Sequence, residues 1–129
     1  MEPTVITSPD SPPPGGPYSP GLVLGDWVLL AGQGGADPAT GKLGETIEEQ
    51  TEQTLDNIAT LLAAAGCTLD DVVSCLVHLQ DLSHFSRYNA VYGARFSDPK
   101  PVRTTVGADL LHDMLIEVTV NARRRSPGA

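Results

Sequence analysis

Apolar positions recur along the chain with two different periods, and the changes of period mark out its elements. In "TIEEQTEQTLDNIATLLAAAG", residues 46–66, Ile47, Thr51, Leu55, Ile58, Leu61, Leu62 and Ala65 return at helical spacing and predict a helix with one buried stripe. Thr46 and Glu49 have the spacing of a capping box. Glu48, Glu49 and Glu52 stand near the positive end of the helix dipole, and Gly66 fits the position just past its C-terminus. The acidic face opposite the stripe reads as solvated. "SHFSRYNAVYGARF", residues 83–96, predicts a second helix with Ser83 as its cap. Phe85, Tyr88, Tyr92 and Phe96 form an aromatic stripe along it that reads as core, and Arg87 and Arg95 fall on its outer face.

Elsewhere the period is two. In "MLIEVTVNA", residues 114–122, Ile116, Val118 and Val120 face one way and Glu117, Thr119 and Asn121 the other. Val72–Leu79 reads as a strand with Val73, Cys75, Val77 and Leu79 on one face and His78 on the other. Leu22–Leu24 and Trp27–Ala31 flank Gly25-Asp26 as a hairpin. "TVIT" at 4–7 and "VRTTVGA" at 102–108 complete the strands. "SPDSPPPGGPYSPG", residues 8–21, is too rich in proline and glycine to be anything but loop, and Tyr18 within it needs a place to sit. Asp70 and Asp71 read as a turn cap. The order β, β-hairpin, α, β, α, β, β predicts an α+β fold, about six strands with both helices on one sheet face. No element remains to cover the other face, which argues for a partner subunit. The 129 residues read as a single domain, with 1–3 and 124–129 as loose ends.

Charge narrows the partners. Sixteen acidic residues against 8 basic give a net charge of −8, which repels nucleic acid over most of the surface. No stretch approaches the roughly 20 apolar residues of a membrane span. The N-terminus has neither the basic nor the apolar region of a secretory signal, so the soluble cytoplasm is the expected location. Cys67 and Cys75 read as reduced packing residues. The three histidines form no zinc-binding pattern with them, so no metal site is expected. "GQGG", residues 32–35, allows close backbone approach, but no lysine follows and it is not a phosphate loop.

Arg103 stands out among the basic residues. Arg123, Arg124 and Arg125 make a terminal run, and Lys42 and Lys100 sit in turns. Only Arg103, in "PVRTTV" at 101–106, is set in a strand-like apolar segment. A long cation in that setting needs an anion.

Six segments then occur in register: "GGPYSPG" at 15–21, "AGQGG…DPATG" at 31–41, "EEQTEQTLDNIATLLAAAGCTLDDVV" at 48–73, "YNAVYGARF" at 88–96, "PVRTTV" at 101–106 and "IEV" at 116–118. Together they resemble the RidA family of imine and enamine deaminases, also called YjgF, from about residue 4 to 123. The resemblance implies a chorismate-mutase-like fold and a homotrimer with a central β-barrel and clefts between subunits. It implies hydrolysis of reactive imines and enamines, such as 2-aminoacrylate, to a 2-oxo acid and ammonia, with no metal or organic cofactor. By the same resemblance Arg103 holds the substrate carboxylate, and Thr105 presents backbone to the ligand. Tyr18 is the cleft tyrosine, Glu117 positions or activates the attacking water, and Gly32 and Asn89 line or support the cleft. Arginine suits the first role because its planar fork can bind a carboxylate through two parallel hydrogen bonds.

The chain departs from the family pattern at several points. Ala31 stands where many relatives have serine, and Gly34 and Gly35 replace an apolar residue and a proline. The segment between Arg103 and Glu117 is one residue shorter, lacks the usual proline, and places His112 and Asp113 near the cleft rim. These changes point to altered substrate choice. The expected partners are a small carboxylate-bearing imine or enamine and further copies of the chain, with neither membrane nor nucleic acid among them. The alternatives are a specialised pathway deaminase and a non-catalytic module that senses a small carboxylate. The ribonuclease label attached to the family fits poorly with the acidic charge and the lack of a basic stripe.

Overall fold

A computed structural model describes residues 1–125. The strands are β1 (Thr4–Ile6), β2 (Gly21–Leu24), β3 (Trp27–Leu30), β4 (Val72–Leu79), β5 (Val102–Gly107) and β6 (Ile116–Arg123). The helices are α1 (Ile47–Ala64) and α2 (Phe85–Arg95). The strands form one six-stranded sheet in the order β1-β2-β3-β6-β4-β5. β4 and β5 pair in parallel, with α2 as the crossover between them, and every other pair is antiparallel. The fold is therefore α+β with a mixed sheet. No helix among the described residues is long and apolar enough to cross a membrane.

Both helices cover one sheet face. Val28, Leu30, Cys75, Val77, Leu79, Ile116, Val118 and Val120 are buried there with Leu55, Ile58, Leu61 and Leu62 of α1 and Tyr88 and Tyr92 of α2. Strict alternation in β6 sends Glu117, Thr119 and Asn121 to the opposite face, as the period-two reading requires. That face is bare among the described residues, and Trp27, Leu29, Leu76 and Val106 are exposed on it.

Local chemistry explains the element ends. Gly25 turns the β2–β3 hairpin at φ 62°. Beyond α1, Gly66 (φ 78°) lets its N–H reach Ala63 O (3.0 Å) and the Cys67 N–H reach Leu62 O (2.8 Å). This paired closure satisfies carbonyls the helix would otherwise leave open. Thr46 caps α1 by accepting from the Glu49 N–H (3.1 Å). The reciprocal half of the expected box is displaced, because the Glu49 carboxylate accepts from the Glu45 N–H (3.1 Å) instead of that of Thr46. A full capping box occurs at Thr68 and Asp71, in the short turn of the acidic pair.

Several expectations change in the structure. Val73 is not on the buried face of β4. The ladder with β6 slips between Val72 and Ser74, so the extra residue turns outward and Val72 takes the inward place. Ser83 does not cap the second helix; Asp81 caps a short 3-10 turn, accepting from the Ser83 N–H (2.9 Å), and α2 continues from it. The acidic face of α1 is not merely solvated. Glu48 pairs with Arg87 (2.7 Å), and Glu52 and Asp56 pair with Arg95 (2.9 and 2.8 Å), joining the two helices. Arg123 ends β6, so Arg103 is not the only strand arginine. Of the loose end expected at 124–129, residues 126–129 lie outside the described residues. Arg124 is tied to the hairpin turn, its backbone N–H donating to Asp26 O and its Nη2 to Gly25 O (both 2.7 Å).

Candidate functional site

Arg103 lies on β5, at the edge of the sheet. In the parallel ladder Arg103 is level with Cys75 and Thr105 with Val77. Cys75 and Val77 point toward the helices, so Arg103 and Thr105 do too, beside α2. The Arg103 Nη1 donates to Asn89 Oδ1 (2.7 Å). Its guanidinium carbon lies 4.7 Å from the Tyr92 ring centroid, 5.5 Å from that of Tyr88 and 5.7 Å from that of Phe85. The aromatic stripe therefore serves twice, with Tyr88 and Tyr92 buried as core and the same rings forming a platform under the cation. The rest of the arginine fork makes no hydrogen bond among the described residues. The Tyr88 and Thr105 hydroxyls share a hydrogen bond (2.7 Å) that ties α2 to β5. Burial pushes the Tyr88 and Tyr92 phenols and the Cys75 thiol above their ordinary values, so all three are neutral beneath the arginine.

Glu117 lies elsewhere. It is opposite His78 across the β4–β6 ladder, on the bare sheet face. With Tyr18 and Gly32 it borders a cavity of about 350 Å³. The glycine is what lets the carboxylate sit there: a Cβ at position 32 would come within 2.8 Å of Glu117 Cδ and 2.9 Å of Oε1. Tyr18 is half exposed and folds over its own loop, its hydroxyl accepting from the Gly15 N–H (3.1 Å).

The glycine segment beside this cavity is held from below by α1. Gln33 and Val118 exchange both backbone hydrogen bonds (2.9 Å each). Asn57 Nδ2 donates to Gly34 O (3.0 Å) and Ala36 O (2.9 Å), and Asn57 Oδ1 accepts from Gln53 Nε2 (3.0 Å). Gln50 Nε2 donates to Gly44 O (2.9 Å), while its Oε1 accepts from the Leu115 N–H (2.8 Å). Gly35 packs directly on the α1 backbone, where an added Cβ would stand 2.6 Å from Gln50 O. Gln50 and Asn57 were not among the residues singled out from sequence. The available signal was two amides falling inside the helical stripe, where a buried polar group must find partners.

The segment expected at a cleft rim divides between two depressions. Leu111, His112 and Met114 line the cavity, and Asp113 lines the adjoining depression with His112. His112 and Asp113 are successive non-glycine residues in the left-handed region (φ 57° and 60°), a conformation costing roughly 1–2 kcal/mol per residue. Met114 occupies the space beside Gly34 that a side chain there would fill.

The six sequence-derived residues thus gather in two groups. Asn89, Arg103 and Thr105 stand together on the helix side of the sheet edge. Tyr18, Gly32 and Glu117 stand together at the cavity, with Glu117 on the opposite sheet face.

A mixed-sheet α+β chain with an edge arginine on an aromatic platform and a glycine-seated carboxylate is the class these features define. The family model for endoribonuclease L-PSP matches residues 8–124, and the chain belongs to that family, which includes the RidA and YjgF proteins. The chain is 44% identical over 122 residues to a RutC family protein of Saccharolobus solfataricus, covering 93% of this chain and 97% of the other. It is 36% identical over 129 residues to the 2-iminobutanoate/2-iminopropanoate deaminase of Salmonella typhimurium, covering 97% and 100%. Among solved structures, RidA from an Antarctic Psychrobacter superposes with a TM-score of 0.91 at 36% identity, covering 93% of this chain and 98% of that one.

Proposed function

We propose that this chain acts in the cytoplasm as a deaminase, hydrolysing carboxylate-bearing imines and enamines of the 2-aminoacrylate type to 2-oxo acids and ammonia. The site is a cleft between subunits of a homotrimer. The observation that carries this reading is the separation of Arg103 from Glu117 by the thickness of the sheet. Neither group can serve the other within one chain. A second copy that brings its Arg103 edge across the Tyr18–Gly32–Glu117 cavity completes the site. The bare apolar sheet face supports such an assembly, since three of these faces turned inward form a central barrel.

In this site the open arms of the Arg103 fork take the substrate carboxylate through paired hydrogen bonds. Asn89 and the aromatic platform hold the guanidinium in place beforehand, and Thr105 offers backbone to the same ligand. Glu117 accepts a proton from water as the water oxygen bonds to the imine carbon and the C=N electron pair moves to nitrogen. Glu117 returns that proton to the carbinolamine nitrogen, then takes the remaining hydroxyl proton as the carbonyl forms and ammonia leaves, and that last proton ends on the ammonia as ammonium. One water is consumed and one ammonia released. Tyr18 lies over the cavity to orient the substrate. A protonated imine is already electrophilic, so positioning supplies most of the rate enhancement. The mechanism calls on no metal and no organic cofactor.

The test generates 2-aminoacrylate in place with an amino-acid lyase and follows its loss. Wild-type protein should exceed the spontaneous rate, and Arg103→Ala should lose about 100-fold or more in kcat/KM. No acceleration over the spontaneous rate with any of several amino acids would overturn the deaminase reading. Binding of 2-oxo acids without acceleration would make the protein a carboxylate-binding module instead.

A further inference from the structure

We infer that His112 is a second catalytic residue of the cavity, the acid that puts a proton on the imine nitrogen while Glu117 serves as the base for water. The inference rests on the deaminase reading and adds a residue to its site.

The reaction needs two proton transfers of opposite sense. The imine nitrogen must gain a proton for its carbon to be fully electrophilic, and the attacking water must lose one. A carboxylate that starts the cycle ionised can take the second proton but has none to give for the first. The side chains with an ionisable group on the cavity lining are Tyr18, His112 and Glu117. The Tyr18 hydroxyl is engaged with the Gly15 N–H of its own loop (3.1 Å). That leaves one imidazole and one carboxylate, and histidine is the side chain whose charge ordinarily changes between about pH 5 and 8. Two different titratable groups on one cavity are the arrangement that divides acid from base work.

The placement of His112 suits the task. It is exposed, and it borders both the cavity and the adjoining open depression. A proton spent on substrate can therefore be replaced from solvent without passing the substrate. The other charged groups about it are Lys42, Glu45 and Asp113, which line the depression and not the cavity, so none of them competes for the imine nitrogen. The left-handed backbone of His112 (φ 57°) and Asp113 (φ 60°) is a shape kept at a cost, and such strain gathers where a site must aim a residue.

The step balances with solvent as the proton source. The imidazolium proton passes to the lone pair of the imine nitrogen, leaving neutral imidazole and an iminium. The water oxygen bonds to the iminium carbon as Glu117 takes a water proton and the C=N electron pair moves to nitrogen. Glu117 carries the remaining transfers, ammonium leaves, and the imidazole regains a proton from solvent. One water and one solvent proton are consumed for each ammonium released.

The experiment releases the alanine-derived imine with an L-amino acid oxidase, with semicarbazide as the competing trap, and compares proteins at equal pH between 5.5 and 8.5. His112→Asn keeps a residue tolerated in the left-handed region, so its thermal midpoint should match that of wild type. At low pH the imine arrives already protonated, and the variant should come within about 3-fold of wild type in kcat/KM. At pH 8 the imine arrives neutral, and the variant should fall about 10-fold or more behind. His112→Gly, which suits the same backbone, should recover activity at pH 8 when imidazole is added, with no gain for wild type or for the spontaneous reaction. A variant deficit that is equal at every pH and unmoved by imidazole would reduce His112 to shaping the turn. Full activity of His112→Asn at pH 8 would likewise overturn the inference, and both results would leave the deaminase reading intact. A wild-type protein that never exceeds the spontaneous rate would remove both.

Discussion

The Glu117 carboxylate is seated against the Gly32 backbone, so closely that a Cβ at position 32 would stand 2.9 Å from Oε1. The atoms in the way are the far end of a flexible side chain, which can swing aside at little energetic cost. Gly32→Ala should therefore leave the thermal midpoint nearly unchanged while lowering kcat/KM for imine hydrolysis by about 100-fold, the scale of a misplaced reacting group. Gly35→Ala should do the reverse in kind. There the obstacle is the α1 backbone at Gln50, 2.6 Å away, and overpacking should cost about 1–3 kcal/mol in urea unfolding. Equal stability losses for the two variants would contradict this distinction.

Asn57 is 1% exposed and holds the glycine segment through Gly34 O and Ala36 O. Asn57→Leu keeps the bulk and removes both donors. About 1–3 kcal/mol of stability should be lost, measured by urea denaturation, because partly buried carbonyls are left without partners. Asn57→Asp should be no better, since its carboxylate oxygen would face two carbonyl oxygens. A leucine variant as stable as wild type would show that the segment holds its shape without α1.

Burial raises the thiols of Cys67 and Cys75 above their ordinary 9.0 and the phenols of Tyr88 and Tyr92 above 10.0. All four groups are neutral when protonated, and the folded chain holds them so longer than the unfolded chain does. Their contribution to stability is full below about pH 9 and declines as the pH rises through the ordinary thiol and phenol values toward the raised ones. The urea midpoint should fall between pH 8 and pH 11. Both cysteines are buried and unpaired, so a thiol reagent should label neither in native protein at pH 7.5 and both after denaturation. Rapid native labelling would contradict the burial of Cys67 beyond the end of α1 and of Cys75 beneath α2.

The periodic parts of the fold were legible in the sequence. The α1 stripe, the alternation of β6 and the Gly25 hairpin depend on spacing within one element, and spacing is what a sequence displays. Val73 was misread because a bulge is set by the partner strand, and nothing local to β4 announces it. Ser83 lost its capping role to Asp81 because a 3-10 turn precedes the helix and moves the first unsatisfied N–H groups upstream. The acidic face of α1 looked solvated because Arg87 and Arg95 belong to a helix some forty residues away, and only packing brings them across. Within the site, the pairing of Arg103 and Thr105 on one strand face followed from their spacing. The amide supports Gln50 and Asn57 did not stand out, since their partners are loop carbonyls that no motif encodes.

Arg103 and Glu117 face opposite sides of one sheet, and the proposed reaction needs both. The most direct measurement co-expresses Arg103→Ala and Glu117→Gln chains and assays the mixed assemblies against each variant alone. If the site is shared between chains as proposed, an intact arginine edge meets an intact Glu117 cavity in a mixed assembly. Each variant alone should be nearly inactive, and the mixture should recover a substantial fraction of the wild-type rate, in proportion to its mixed assemblies. A mixture no more active than its two components would contradict a site shared between chains.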